Sequence, residues 1–415
     1  MKSSGLEINE SHLRRVFAFT DQVVEQYPNR LAGTEACRDA ANRIKQEFIK
    51  NCDPGSVQVE EFTVYPKSFL KYIPGLVVLY IICSILLYFQ FPLPALIGYS
   101  LAIFVFYCQF VRYWEVFDPL FPKTTGYNVF GTIEPEGEVR QQVIVSGHHD
   151  AAYVFQLIAH VPKYYARFIT GGILFLVLGF LVSLVGIVLA IFDISIPGWI
   201  PLALIAGSFL LLPLAFFTTG QVSPAAGDNM IAVAIANEMA KLFHDAKKVG
   251  TNPLRHTRLM VASFDAEEAG LRGARAFCKK HREELLRVKT YVLNIDTLYK
   301  VKDLSFLEKD LNASVKLSHK MAQDCIDIAK SLGYPAKISI MPFGAGSTDA
   351  AEFGKIGVEA TTLAGINFDI SQFREGLVYH TPNDLSKYIE AAMVEAALKI
   401  VRDCIVKKDS EFGSI

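Results

Sequence analysis

The sequence predicts an α/β domain: a mixed, mostly parallel central sheet with helices on both faces, plus four transmembrane helices inserted as two hairpins. Three observations carry this. From Gly220 to the C-terminus, strand-like apolar runs alternate with helical ones, the pattern of a sheet covered on both faces. Two blocks, Ile73–Phe91 with Ala95–Val111 and Phe168–Phe192 with Pro197–Phe217, contain no charged residue. Third, acids and histidines recur just past the strand ends, where α/β sheets gather their ligands.

The elements follow in order. Residues from about Ser11 to Asn51 carry apolar positions at helical spacing, broken at Leu31-Ala32-Gly33-Thr34, so two helices are expected. Ser56 to Tyr65 alternates like a strand. Tyr127 to Ile133, the turn Glu134-Pro135-Glu136-Gly137 and Gln141 to Ser146 read as strand, tight turn and strand. Beyond the second apolar block a helix begins near Gly227-Asp228-Asn229. Strands are expected at Arg258–Phe264, Thr290–Ile295, Ala336–Met341 and Glu359–Leu363, and helices at Gly273–Leu286, Ala313–Leu332 and Ser386–Val406.

Each uncharged run is near the length of about 17–25 residues that crosses a bilayer. Two back-to-back pairs favour hairpins that span a membrane over buried core helices. The expected division is a discontinuous domain of residues 1–67, 113–165 and 219–415, with hairpins at 68–112 and 166–218. Lys67, Lys71, Arg112, Lys123, Lys163 and Arg167 flank the spans on the domain side, and neither tip carries Lys or Arg. The positive-inside rule then puts the domain in the cytoplasm of a multi-pass membrane protein. The seven cysteines show no paired or metal-ligand spacing, which fits reduced thiols. Met1 to Glu10 lacks the basic start and apolar core of a cleavable signal peptide. A net charge of −1 gives no electrostatic footprint for nucleic acid.

The chemistry-bearing residues lie far apart in the chain. His148 and Asp150 follow the strand ending at Ser146, and a period of two puts both on one side with His149 opposite. Asp228 stands at a helix start, Asp296 follows Tyr291–Ile295, and His380 precedes the last helix. Glu267 and Glu268 follow Phe264, and adjacent positions at a strand end point to opposite sides. One of them can hold a metal while the other reaches a water. Singly, each has a plain structural reading: an N-cap for Asp228, a surface doublet for the glutamates, loop or turn residues for His380 and Asp296. Together and in this order they do not.

Gly147-His148-His149-Asp150, Gly227-Asp228-Asn229, Phe264 to Gly273, Asn294-Ile295-Asp296 and His380-Thr381-Pro382-Asn383-Asp384 resemble the motifs of one zinc metallopeptidase family. It contains the bacterial leucine-type aminopeptidases, aminopeptidase Y, the glutamate carboxypeptidases and, more distantly, the glutaminyl cyclases. Asn29 to Thr34 resembles its entry helix-loop, and Ser347-Thr348-Asp349 a turn lining its substrate pocket. The resemblance covers the part outside the hairpins. It implies two zinc ions bridged by Asp228, one also held by His148 and Asp296, the other by Glu268 and His380. It makes Glu267 the general base and Asp150 the residue that orients His148. Two departures stand near these motifs: Ile231-Ala232 replaces the family's Ser-Gly pair, and Ala274 replaces a Ser.

The function this implies is a membrane-integral zinc aminopeptidase. Its expected partners are a peptide or amphiphile arriving along the membrane and the lipid bilayer itself. The hairpin between Asp150 and Asp228 leaves and re-enters beside the site, which puts the catalytic face near the bilayer surface. Alternatives are a glutaminyl-cyclase-like acyl transfer at a single zinc and a catalytically silent scaffold; the complete ligand set argues against both. A transporter is disfavoured because the runs contain no intramembrane acid or base.

Overall fold

The computed structural model describes residues 6–251 and 253–412; Met1 to Gly5 of the polar start lie outside them. Two helices open the chain, α1 (Glu10–Gln26) and α2 (Glu35–Asn51). Asn9 caps the first by accepting from the Ser11 amide, and Thr34 caps the second by accepting from the Cys37 amide. Strand β1 (Gln58–Val64) precedes the helices α3 (Tyr72–Tyr88) and α4 (Pro92–Phe106), and β2 (Thr124–Ile133), β3 (Gln141–His148) and the short β4 (Tyr153–Phe155) follow. A short α5 (Gln156–His160) leads to α6 (Tyr165–Ile191) and α7 (Trp199–Ala215), and β5 (Thr218–Val222) pairs with β4 as the chain returns. Then come α8 (Ile231–Lys248), β6 (Thr257–Phe264), α9 (Arg272–Lys280), α10 (Arg282–Arg287) and β7 (Lys289–Leu298). The chain ends with β8 (Ser305–Asp310), β9 (Val315–Lys316), α11 (His319–Ser331), β10 (Lys337–Ile340), α12 (Ala350–Lys355), β11 (Glu359–Gly365) and α13 (Ala391–Phe412).

The large sheet runs β1-β2-β6-β3-β7-β11-β8-β10, with β9 on β8. Its centre, β6-β3-β7-β11, is parallel, and antiparallel pairs flank it. One expectation fails here. Strands β2 and β3 form no hairpin, because β6 lies between them, antiparallel to the first and parallel to the second. Strand β3 is buried along its whole length, as a central parallel strand covered on both faces must be. One apolar layer joins α1, α2, α8, α11 and α13 to the sheet, and a second lies under α9 and α12. Three further boundaries move: the expected helix at 313–332 starts only at His319, 273–286 divides into α9 and α10, and Ser386–Tyr388 is a separate short turn before α13.

A network of ion pairs ties α11 to α13. Asp324 accepts from Lys407 at 2.7 Å and from Lys408 at 2.8 Å. Burial raises the Asp324 carboxyl, but the lysines outweigh it and hold the group well below the usual carboxylate range. A depressed pKa adds stability that is present above the unfolded value of about 3.9 and is lost progressively as the pH falls from there through the lower folded value. Asp324→Asn is therefore expected to lower the melting temperature at neutral pH, with the difference shrinking as the medium is acidified.

Helices α3, α4, α6 and α7 form a separate layer with its own core, in which Tyr80 donates to the Leu204 carbonyl at 2.9 Å. Two segments, Pro92–Val111 and Pro162–Ile191, are long and apolar enough to cross a membrane. Only 28% of the first and 17% of the second is buried, unlike core helices of a soluble protein. The expected four full-length spans are thus met by two. The partners α3 and α7 have 17 residues each, about 25 Å at a helical rise against a hydrocarbon core of about 30 Å. Helix α3 starts late because residues 66–71 are taken by turns, and α7 stops two residues after Pro213.

The first pair is tied to the sheet by Arg272, which is 3% exposed. Its guanidinium donates to both Asp118 oxygens at 3.0 and 3.2 Å and to the Tyr113 and Gly270 carbonyls at 2.8 and 3.0 Å. Arg272→Ala strands a buried carboxylate, and a loss of about 3–5 kcal/mol in unfolding free energy is expected.

Candidate active site

The parallel neighbours β6, β3 and β7 end side by side, so residues distant in sequence converge at their carboxyl ends. His148 is the last residue of β3, and Asp296 lies two residues before the end of β7. Gly147 lets α8 close onto this end: a Cβ there would sit 2.6 Å from the Ala232 Cβ. The departure from Ser-Gly at 231–232 is accommodated in that contact.

Glu267 and Glu268 do not continue a strand. After Phe264 the chain turns, with Ala266 at φ +58° and Leu271 at φ +64°, so their different directions come from this turn and not from strand alternation. Asp150 fixes the turn. Its Oδ1 accepts from the Glu267 amide and its Oδ2 from the Glu268 amide, each at 3.1 Å. The same Oδ1 lies 3.3 Å from His148 Nδ1, so one carboxylate orients the imidazole and both glutamates.

Asp228 precedes α8 in non-helical backbone (φ −129°, ψ 79°), so it is not the N-cap it resembles. Its Oδ1 lies 3.3 Å from His148 Nε2, and its Oδ2 lies 2.9 Å from His380 Nε2. His380 Nε2 is also 3.1 Å from Glu268 Oε1. Asp296 Oδ1 accepts from Thr297 Oγ1 at 2.6 Å. Ligand atoms of His148, Asp228 and Asp296 lie within 4.8 Å of one another, as do those of Asp228, Glu268 and His380. All the expected site residues are brought together.

The donor set fits a metal. His148 Nε2, Asp228 Oδ2 and Asp296 Oδ2 are buried without an aligned hydrogen bond, the first two having only the ion-pair contacts above, although such atoms are normally paired. Four buried or nearly buried carboxylates (Asp228, Glu267, Glu268, Asp296) face two imidazoles, an excess of negative charge that calls for cations. Imidazole nitrogen with carboxylate oxygen is zinc's ligand chemistry. Burial outweighs the attraction of His148 and, with repulsion from Asp296, Glu268 and Asp349, holds Glu267 well above the usual carboxylate range. Burial likewise pushes Asp296 up to about 7. In His380 burial is outweighed by the Glu268 and Asp228 charges, which lift the imidazole to about 10.

Several supporting residues escape a reading of the motifs. Asp384, at the end of the His380 motif, accepts from the Gly227 and Asp228 amides at 2.8 and 3.2 Å and so positions the shared carboxylate. Asn229 donates to the Ile295 carbonyl at 2.8 Å, tying the Asp228 turn to β7. Arg30 is buried and donates to the carbonyls of His149, Tyr27, Pro224 and Ala225 at 3.0–3.3 Å. Behind the site Cys37 donates to Asp265 at 3.2 Å, and His149 pairs with Ser263 at 2.8 Å. The signal for Arg30 and Asp384 lay in the motifs, but their partners are fixed only by tertiary contact. Of the turn 347–349, Ser347 and Thr348 line the site cavity, whereas Asp349 is buried with both oxygens unpaired. That cavity, about 80 Å³ and open to solvent, has Asp228, Glu267, Glu268, Asp296 and His380 in its wall.

Comparison with known proteins agrees with this geometry. Residues 212–405 match peptidase family M28. No curated protein matches the chain. Solved structures share the fold over nearly its full length. A zinc aminopeptidase from Bacillus subtilis is 14% identical with a TM-score of 0.56, covering 95% of each chain. A Zn-dependent exopeptidase from Parabacteroides distasonis is 12% identical, TM-score 0.55, covering 95% of this chain and 97% of its own. A glutaminyl cyclase from Porphyromonas gingivalis is 11% identical, TM-score 0.57, covering 95% and 98%.

Proposed function

We propose that this chain, whose residues 212–405 match peptidase family M28, is a zinc metallopeptidase, an aminopeptidase working at a membrane surface. The observation that carries the reading is the shared carboxylate: Asp228 faces His148 with one oxygen and His380 with the other. This supports two ions, one among His148, Asp228 and Asp296 and one among Asp228, Glu268 and His380. Zinc so held would polarise the scissile carbonyl and make water acidic near neutral pH. Glu267 belongs to neither of these trios, although its carboxylate also lies within 4.8 Å of ligand atoms of His148 and Glu268; we assign it the proton and not the metal. Its carboxylate takes the water proton and delivers it to the leaving amine. Asp150 keeps His148 and the glutamate turn in register, as carboxylates behind ligating histidines do.

The membrane part of the reading takes α3, α4, α6 and α7 as four spans in two hairpins, at 68–112 and 166–218, with the peptidase domain formed by 1–67, 113–165 and 219–415. It is supported by their outward apolar surface, including Val78, Ile97, Leu101, Leu181 and Phe209, and by basic and aromatic side chains at the domain-side ends. Arg112 lies over the Trp114 ring at 5.8 Å, and Lys163 and Arg167 flank Tyr164 at 5.0 and 5.3 Å, the anchors expected at a lipid interface. The same charges favour the cytoplasmic side for the domain in this reading, and the free thiols of all seven cysteines are compatible with it.

Glutaminyl cyclases share the fold, which supports the alternative of acyl transfer at a single zinc. The test uses the full chain in nanodiscs, assayed on a free-amine peptide amide and on an amino-terminal glutaminyl peptide, before and after chelation and zinc return. Metal-dependent release of the first residue, with two zinc per chain, is expected. Cyclisation without hydrolysis at one zinc per chain would transfer the protein to the alternative.

A further inference from the structure

Three cavities meet at Leu70, which lines them all. One is the site cavity already described. The second lies inside the helical layer, offers a cavity of about 110 Å³ that is open at its mouth, and is walled by α3, α6, α7 and the end of the first pair, including Leu76, Tyr80, Phe106, Gly172, Ile173 and Leu214. No charged residue lines it. It borders the site cavity through shared walls: Leu70, Phe110 and Phe217 line both. The third cavity opens on the other side of Glu268 and carries Lys67, Lys71 and Lys123.

We propose that the cavity within the helices is a subsite for the hydrocarbon chain of an amphiphilic amide substrate, which enters from the bilayer and presents its amide to Glu267. The inference rests on the hydrolytic reading above and gives that site its substrate class. A peptidase that reads only short soluble peptides has no use for an apolar chamber behind its catalytic wall. This one lies within helices whose outer faces are themselves apolar, the side from which a chain dissolved in lipid would arrive. The lysine-lined cavity beyond Glu268 then receives the polar, anionic remainder. Burying the chain gains roughly 0.8 kcal/mol per methylene, and that gain falls on the substrate that arrives from the membrane.

The chain could be a fatty acyl group or an apolar side chain, and two substrate series separate them. One is a set of N-acyl amino acids from acetyl to palmitoyl. The other is a set of free-amine peptides whose first side chain lengthens from methyl to tetradecyl. With full-length protein in nanodiscs, kcat/KM is expected to climb roughly fourfold per added methylene in one series until the chamber is full. Gly172 provides the plug: a Cβ there would already meet the tip of Leu214 at 2.8 Å. Gly172→Phe, and Ile173→Trp as an independent plug, should flatten the series, while Leu174→Phe on the outward face leaves the slope intact. Photo-crosslinking of a diazirine-bearing long-chain amide to the Glu267→Gln protein reads occupancy without turnover. Labelling of α6 and α7 that both plugs abolish is expected. Flat series with no plug-sensitive labelling would overturn the subsite even if short peptides are cut. Plug-sensitive labelling in a protein that hydrolyses nothing would keep the subsite and remove the peptidase reading.

Discussion

Glu267→Gln is expected to lower kcat/KM by about 10²–10⁴-fold, the usual contribution of a positioned general base, while metal content stays that of the parent. The side chain keeps its shape and the backbone amide of residue 267 still donates to Asp150, so the turn survives. What is lost is the carboxylate that lies 3.8 Å from His148 Nε2 without belonging to either ligand trio. Inductively coupled plasma mass spectrometry alongside single-turnover kinetics separates the outcomes. Full activity with full metal would remove Glu267 from the chemistry; lost metal would make it a ligand.

Asp228→Ala should have the opposite signature. Its two oxygens face two histidines, so one substitution reduces both trios to pairs. Metal content is expected to fall toward zero, and activity with it. A second readout is thermal. Zinc at about a thousandfold excess over its Kd stabilises a protein that binds it only when folded by about 4 kcal/mol. The parent should therefore melt higher on zinc addition and the variant should not. Retention of one zinc per chain by the variant would show that one trio binds independently of the shared carboxylate.

Much of this site was legible because its residues sit at places physics singles out. The spacing of two put His148 and Asp150 on one side, and the structure brings them within 3.3 Å, although β3 ends at His148 and Asp150 lies in the loop after it. The apolar runs were visible because a stretch without charge needs no partner to be noticed. What failed depended on contacts distant in sequence. Strands β2 and β3 looked like a hairpin because a turn joins them, yet the strand between them lies over a hundred residues downstream. Ala266 gives no sign of its positive φ, so the glutamates were assigned their directions by the wrong geometry. Strand β8, Ser305–Asp310, mixes apolar and charged positions without clear alternation and was missed. Arg30 and Asp384 look like loop residues until the carbonyls and amides they serve are folded around them.

The interposed strand also sets an order of assembly. As the chain emerges from the ribosome, β2 and β3 are complete before the second helical pair is made, but β2 has only β1 beside it and β3 has neither of its neighbours. Strand β6 arrives only after that pair is finished. The sheet's parallel centre therefore closes last, a late and distant pairing of the kind that makes folding slow. The helical pair shortens the search. Tyr165 and Phe217 stand at its two ends with ring centroids 6.3 Å apart, so once it is formed a long excursion becomes a tight loop with a small closure entropy. On the reading that these helices enter the bilayer, insertion precedes the catalytic centre in time, and a nascent chain is at the membrane before it can cut.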